Sequence, residues 1–425
     1  MTNQLLLDLL RSEVVPAIGC TEPIAVALCV ARAKERLGCE PDAITVYLSK
    51  NVYKNALAVG IPNTGMTGLP IAIALGATVG RSEYMLEVLR DATPEAVAYA
   101  KEYMLRVPAD IHINYEAPSI LYIHAEVRKG DQTAQATIMD GHTHFVESGI
   151  RSQEPRLNSK IETTENALSL RRVYDFAMEV NTQDITFLKD GAEINTAAAE
   201  TSFADQYGHG LGRLLRANTL TATPEMEKLF GNTLFTKIIS YTCGACDARM
   251  SGAMVQVMSN SGSGNQGISC SIPVYLYAKE NNCSEEKTLR ALALSNLTVI
   301  YIKQSLGRLS ALCGCVVAAT GSAAGITYLM GGNYEEITYA IKNMIANISG
   351  MICDGAKPGC ALKVTSGVAT AIFSAYLAMQ HSYAESTEGI VEDDIDRTIR
   401  NLTRIGHDGM QVTDDLILDI MTHKQ

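Results

Sequence analysis

The sequence predicts an α+β N-terminal part, a small sheet with helices, followed by a larger all-α part. Three observations carry this. Between Ala43 and Ser148 several short apolar runs alternate with period 2, as half-buried strands do. From about Ser159 to the C-terminus the apolar period becomes 3.6, with breaks at Gly, Ser and Asn clusters. The charged segment SGIRSQEPRLNSKIETTE, Ser148–Glu165, lies between the two regimes and reads as the linker. The division is therefore 1–40, two helices packing on the helical part; 41–155, the α+β domain; and 156–425, the all-α catalytic domain. With 425 residues the chain can bury two or three cores.

Taken in order, residues 1–40 read as two helices with Gly19 and Cys20 between them. In IGCTEPIAVALCVARAKE, Thr21 suits an N-cap, while Glu22 and Pro23 suit a first turn. Ile24, Ala27, Leu28 and Ala31 then recur at helical spacing. AITVYLSKNVY, Ala43–Tyr53, alternates like a strand. NALAVGIPNTGMTGLPIAIALGATVG turns through polar and glycine residues into an apolar helix, and Met85–Leu105 reads as helical. IHINYE, ILYIHAEVRKG and QTAQATIMDGHTHFVES follow as strands with turns between them. No internal repeat, heptad array or low-complexity tract interrupts the chain.

Composition narrows the function classes. Apolar residues make up 47% and charged residues 19%, which argues for extensive burial and a large subunit interface, hence a homo-oligomer. The net charge of −11 disfavours nucleic acid and anionic membrane as partners. The uncharged run that begins at Leu309 is long enough to span a bilayer. Its Gly, Ala, Ser and Thr content suits a closely packed buried helix better. The N-terminus has no basic n-region and carries Asp8 within its apolar stretch, so a cytoplasmic location is expected. In such a compartment eleven cysteines are thiols or metal ligands rather than disulfides.

Those cysteines are grouped. Cys20 stands at a helix mouth, where free N–H groups and the helix dipole favour a thiolate, though a single cysteine there is equally a small buried residue. Cys243 and Cys246 form a CxxC, Cys313 and Cys315 a CxC, and Cys353 and Cys360 flank a broken helix in GMICDGAKPGCALK. None sits in the short polar knuckle of a zinc ribbon. Thiolates gathered from distant helix ends fit an iron–sulfur cluster better.

Two loops could hold a small anion. SNSGSGNQGISCSIPV, Ser259–Val274, places Asn260, Ser261, Gly262, Ser263, Gly264 and Gln266 before an apolar helix. It is neither a Walker loop nor a dinucleotide fingerprint, and a plain helix–helix loop is the alternative. KNVYKNALAVGIPNTGMTG offers Asn51, Lys54, Asn55, Asn63 and Thr64. His142 and His144 in DGHTH share a strand face, with no third ligand nearby, and read as a solvated edge. His209, between glycines in QYGHGLG, reads as a base or a helix cap. No G-x-S-x-G elbow supports a Ser/His/Asp hydrolase, and no lysine lies in a recognisable phosphate cup for pyridoxal phosphate.

GCTEP, NVYKNALAVGIPNTGMTG, MSNSGSGNQGI, RLSALCGCVVAATGSAAG and SGMICDGAKPGCALKV occur in this order over nearly the whole chain. Together they resemble the L-cysteine desulfidases and their uncharacterised bacterial relatives, a group distantly similar to the iron–sulfur-dependent L-serine dehydratase alpha chain. The resemblance implies a serine-dehydratase-alpha-like fold and a [4Fe–4S] cluster held by three cysteines, with one iron open. Cys20, Cys313 and Cys353 match the desulfidase ligands, while the dehydratase pattern favours Cys353 with Cys360. The third ligand is thus Cys20 or Cys360. The Ser259–Gly267 loop is similar to the dehydratase loop at the active site.

What this implies is a lyase that eliminates the β-substituent of a small L-amino acid, L-cysteine first. Lys54 or His209 is the base, Asn260 and Gln266 are side-chain donors to the carboxylate, and Asn63 and Thr64 are further substrate contacts. L-serine or L-threonine dehydration by the same mechanism, a zinc or cofactor-free enzyme of another kind, and a non-catalytic amino-acid or redox sensor remain open. Cys313 and Cys353 are expected to converge although 40 positions separate them.

Overall fold

The computed structural model describes residues 1–146, 168–221 and 223–424. The expected linker Ser148–Glu165 and the expected boundary at 155 lie outside the described residues.

The chain builds two cores. The first is α+β. Strands β2 (Ala43–Leu48), β3 (Asp110–Ile113), β4 (Tyr122–Lys129) and β5 (Gln132–Met139) form a sheet in the order β3-β2-β4-β5. β2 pairs with β3 in parallel and with β4 antiparallel, and β4–β5 is a hairpin. Ile44, Val46 and Leu48 alternate inward along β2, the period-2 pattern of a sheet with one buried face. Over that face lies α2 (Thr21–Leu37), which packs on β4, β5 and α4 (Leu69–Thr78). Residues Thr21–Ala31 of α2 are all buried. Each fully buried aliphatic side chain here contributes about 1.5–3 kcal/mol relative to exposure. α5 (Pro94–Arg106) packs against α4.

The second core is helical and contains α6 (Leu170–Glu179), α7 (Phe187–Ala204), α8 (Leu211–Thr221), α9 (Pro224–Phe230), α10 (Leu234–Met250), α11 (Gly264–Glu280), α12 (Glu285–Leu306), α13 (Gly314–Leu329), α14 (Tyr334–Ile348), α15 (Cys360–Met379), α16 (Ile395–Arg404) and α17 (Gln411–Thr422). α13 is its centre and touches α11, α12, α14 and α15. Its run of Gly, Ala, Ser and Thr is buried almost throughout, so small side chains let the neighbouring helices approach closely. α15 is long and apolar enough to cross a bilayer. Here it packs on α10, α13 and α14.

The two N-terminal helices divide between the cores rather than both joining the helical one. α1 (Asn3–Glu13) places Leu6, Leu7, Leu9 and Leu10 in the helical core, whereas α2 belongs to the α+β core. β1 (Pro16–Ile18), between them, pairs antiparallel with β6 (Gln256–Met258). This ribbon ties the start of α2 to the Ser259–Gln266 loop.

Two expected elements end early. The strand read over Ala43–Tyr53 stops at Leu48, because Ser49 caps a new helix, α3 (Lys50–Ala56). The helix read over Met85–Leu105 is broken. A 3-10 run, Ser82–Glu87, kinks at Met85 (φ 49°), and α5 begins afresh at Pro94 under a Thr93 cap.

Candidate active site

Four helices direct their N-terminal ends at one cavity of about 110 Å³. Cys20 is the N-cap of α2, Ser263 of α11 and Cys313 of α13, while Cys360 opens α15 behind Gly359. Thr21, expected as the cap of α2, is its first helical residue instead. No side chain caps α2, α13 or α15. First-turn N–H groups therefore stay free, and each helix adds a positive end to the cavity wall.

Cys353 joins the three cysteines by strand pairing. Cys313 N–H donates to Met351 O at 2.9 Å and Cys353 N–H to Ala311 O at 2.6 Å, either side of a bridge between Leu312 and Ile352. Cys313 and Cys353 thus occupy diagonal positions on one face of the bridge. Cys20, Cys313, Cys353 and Cys360 all line the cavity. So does Cys315, whose Sγ lies 3.4 Å from that of Cys313. Cys243 and Cys246, the CxxC, are buried within α10 and do not line it.

The thiols differ electrostatically. The hydrogen bond with Cys315 pulls the Cys313 thiol below its ordinary value. Burial pushes up the thiols of Cys353 and Cys360. Burial, then the neighbouring Glu22, raises that of Cys20. The helix dipole expected to favour a Cys20 thiolate is outweighed, because Cys20 is 3% exposed and beside a carboxylate.

Glu22 is buried and accepts from Asn55 Nδ2 at 3.3 Å and Cys20 Sγ at 3.6 Å. Burial alone raises a carboxyl's pKa. His142 and Arg249 reverse that, and Glu22 sits below its ordinary range. His142 is therefore not on a solvated edge. It is 5% exposed, with Nε2 3.8 Å from Glu22, and only a glycine at 262 leaves its ring room, since a Cβ there would stand 2.7 Å from Nδ1. His144 is exposed and bonds Met139 O at 2.9 Å.

Three cations line the cavity. Arg308 is paired with Glu13 at 2.7 and 3.2 Å. Lys303, near the end of α12, is 7% exposed and donates to Arg308 O at 2.9 Å. Burial and then Arg308 pull its pKa down to about 8. Arg249 is 1% exposed. Three polar atoms of lining residues are buried without a hydrogen-bond partner: Asn55 Oδ1, Gln266 Oε1 and Arg249 Nε. Buried polar groups are rarely left so.

The other expected residues are placed as follows. Ser263 and Gln266 line the cavity, and Gly264 lies against Arg249. Asn260 is fully buried and ties its loop to α12 through Asn296 (2.8 Å), and Ser261 bonds Asn260. Lys54 is buried in an ion pair with Asp414 of α17. Its neighbours Lys50 and Asn51 bond Asp415 and Asp414. Asn63 Nδ2 donates to Ala92 O at 3.0 Å and Thr64 Oγ1 to Ile61 O at 2.8 Å, within a turn. His209 stands beside Asp247 and Gly359, behind Cys360. Lys54, Asn63, Thr64 and His209 are not among the lining residues. Glu22, Asn55, Arg249, Lys303 and Arg308 are, and sequence reasoning gave none of them a role at this cavity beyond Asn55's loop.

Among the described residues, no three His, Cys, Asp or Glu side chains are grouped to hold a single metal ion. The cysteine donors are spread around the cavity instead.

The cavity is small and walled by thiols, cations and helix N-termini, with residues of both cores in its lining. Residues 83–419 match the family model described as serine dehydratase alpha chain, and the chain belongs to that family. It is 57% identical over 426 residues to a UPF0597 protein of Phocaeicola vulgatus, covering 99% of this chain and 97% of that one. It is 56% identical over 424 residues to one of Bacteroides thetaiotaomicron, with the same coverage. With one of Porphyromonas gingivalis the identity is 48% over 435 residues, covering 100% and 99%. The family match includes Cys313, Cys353 and Cys360 and begins after Cys20.

Proposed function

We propose that this chain is a lyase that eliminates the β-substituent of a small L-amino acid, L-cysteine before L-serine or L-threonine, with a [4Fe–4S] cluster in the thiol-lined cavity. The observation that carries this reading is the convergence of five thiols and four helix N-termini on one cavity. A donor set of cysteines alone suits an iron–sulfur cluster. Diagonal positions across an antiparallel bridge, such as Cys313 and Cys353, lie roughly 7–8 Å apart, a spacing for a polynuclear group rather than one ion. Cys313, Cys353 and Cys360 are the ligands in this reading, because all three line the cavity, fall within the family match and stand at helix mouths or on the bridge between Leu312 and Ile352. Cys20 faces them from α2.

When bound, such a cluster supplies a Lewis acid toward the thiol or hydroxyl that leaves. The remaining steps fall to the chain. Lys303 removes the α-proton, since its amine is neutral above about pH 8 and lines the cavity. Lys54, held by Asp414 and by Cys353 O at 3.5 Å, and His209, beside Gly359, stand outside the cavity lining. Asn55 Oδ1 and Gln266 Oε1 accept from the substrate's ammonium. Loss of the α-proton and the β-substituent leaves an enamine, which takes up water to give pyruvate and ammonia. From cysteine, sulfide is the third product.

The test is anaerobic purification and reconstitution, followed by iron analysis, a visible spectrum, and assay of pyruvate and sulfide across an amino-acid panel. A broad absorption toward blue wavelengths with equal pyruvate and sulfide from L-cysteine is expected. Pyruvate from L-serine far above that from L-cysteine would move the substrate to the dehydratase reading, the one the family model names. Turnover by iron-free protein would remove the cluster from the reaction. A loaded protein that turns over nothing would leave a sensor.

A further inference from the structure

Arg249 ends the last full turn of α10, and its guanidinium lies deep in the cavity wall. Buried charges are ordinarily paired, and a guanidinium fork matches a carboxylate with two parallel hydrogen bonds. Arg249 has only neutral hydrogen-bond partners among the described residues. Nη1 donates to Asn265 Oδ1 at 2.9 Å and to Met250 Sδ at 3.4 Å, and Nη2 donates to Thr21 Oγ1 at 3.3 Å. Nε is buried with no partner. Glu22 is near enough for the two charges to interact, yet it is engaged by Cys20, Asn55 and His142.

The position is built for the guanidinium. A Cβ at residue 264 would stand 2.7 Å from its central carbon, so glycine at the head of α11 leaves room for it. Ser263 Oγ accepts the Gln266 N–H, so the N–H groups of Gly264 and Asn265 remain at this helix mouth beside the guanidinium, and both features favour an anion.

We propose that Arg249 binds the α-carboxylate of the substrate, with the first N–H groups of α11 completing the anion site. This rests on the lyase reading and names its substrate class: α-amino acids with a free carboxylate, not their amides, esters or decarboxylated amines. Arg249 is then a specificity residue, and the elimination proceeds beside it.

The experiment measures calorimetric binding of L-alanine, which has no leaving group, and of L-alaninamide, which has no carboxylate. Wild type, R249K, R249M and G264A are each compared with and without the reconstituted cluster, alongside circular dichroism and steady-state pyruvate release. Wild type is expected to prefer L-alanine by at least tenfold, as charge-assisted hydrogen bonds imply. R249M loses that preference, R249K keeps part of it, and G264A loses it while retaining the charge. If R249M does not fold, R249K and G264A carry the same reading. An unchanged preference in folded R249M, or none in wild type, overturns the anchor. Pyruvate release with unchanged KM in R249M leaves the lyase standing and removes Arg249 from it. A carboxylate preference that vanishes in R249M, in a protein that releases no pyruvate from any amino acid, keeps the anchor and removes the lyase.

Discussion

Leu312 and Ile352 meet in an isolated antiparallel bridge that joins two loops 40 residues apart in the chain. Their side chains share one face of the bridge, so Cys313 and Cys353, each one residue further on, share the other. A pairing of so few residues is weak on its own. It persists because Leu312 is buried in the helical core and the next residue, Cys313, caps α13. The cavity's thiols are therefore placed by backbone pairing as well as by helix ends.

Serine replacements separate the roles of the cysteines. C313S, C353S and C360S should each lose most of the iron after anaerobic reconstitution, while the helical circular dichroism stays close to wild type. C20S should retain its iron. The packing loss alone is about 1 kcal/mol per site, too small to empty a metal centre through unfolding. Iron lost in C20S and kept in C360S would transfer the third ligand to Cys20 and leave the reaction class untouched.

Lys303 sets a pH dependence. In the folded chain its amine loses its proton near pH 8, against the ordinary 10.5. Turnover should rise with pH to a plateau above about 8. Between those two values the unfolded state binds more protons than the folded one, so the contribution of this residue to stability increases with pH across that window. K303M should remove both the limb in the rate profile and that part of the stability change, and lower kcat by about 10²–10⁴-fold. A K303M profile that keeps the limb at full kcat would exclude Lys303 as the base.

The pair Lys54–Asp414 should behave as structure. Its side chains are 2% and 17% exposed, and it fastens α17 to α3. K54M alone leaves Asp414 with Asn51 as its remaining partner and should cost about 1–3 kcal/mol in denaturant unfolding. K54M with D414L should recover most of that loss together with turnover. A double variant that is stable yet inactive would return Lys54 to the chemistry.

Much of the architecture was legible because it rests on local pattern. The alternation in Ala43–Leu48 and Tyr122–Met139 and the 3.6 period beyond Leu170 reflect which faces are buried. β6 was not legible: three residues inside a glycine-rich stretch form a strand only because β1 arrives beside them. The extension of β2 failed for a related reason. SKNVY alternates well enough, but Ser49 begins a helix that Asp414 and Asp415 of α17 hold from far along the chain.

The site shows the same limit. The four cysteines and the Ser263–Gln266 loop announce themselves by unusual local composition. Arg249 and Lys303 do not, since one charged residue near the end of an apolar helix ordinarily reaches solvent. Only the other helices closing over them make those charges buried. His142 was misread for that reason as well: it lies in the turn after β5, not on a strand, and the Gly262 loop covers it.

The arrangement of helix ends also bears on how the protein matures. Four like-signed helix ends pressed together, beside two buried cations, repel one another when nothing anionic lies between them. Any anionic cargo that settles there is bound by the folded chain and not by the unfolded one, and so adds directly to folding stability. Loaded and empty chains should then differ most in lifetime: the empty ones open more often at these helix ends and are cleared first by proteolysis. Steady-state abundance in a cell would thus report how well the supply of cargo keeps pace with synthesis.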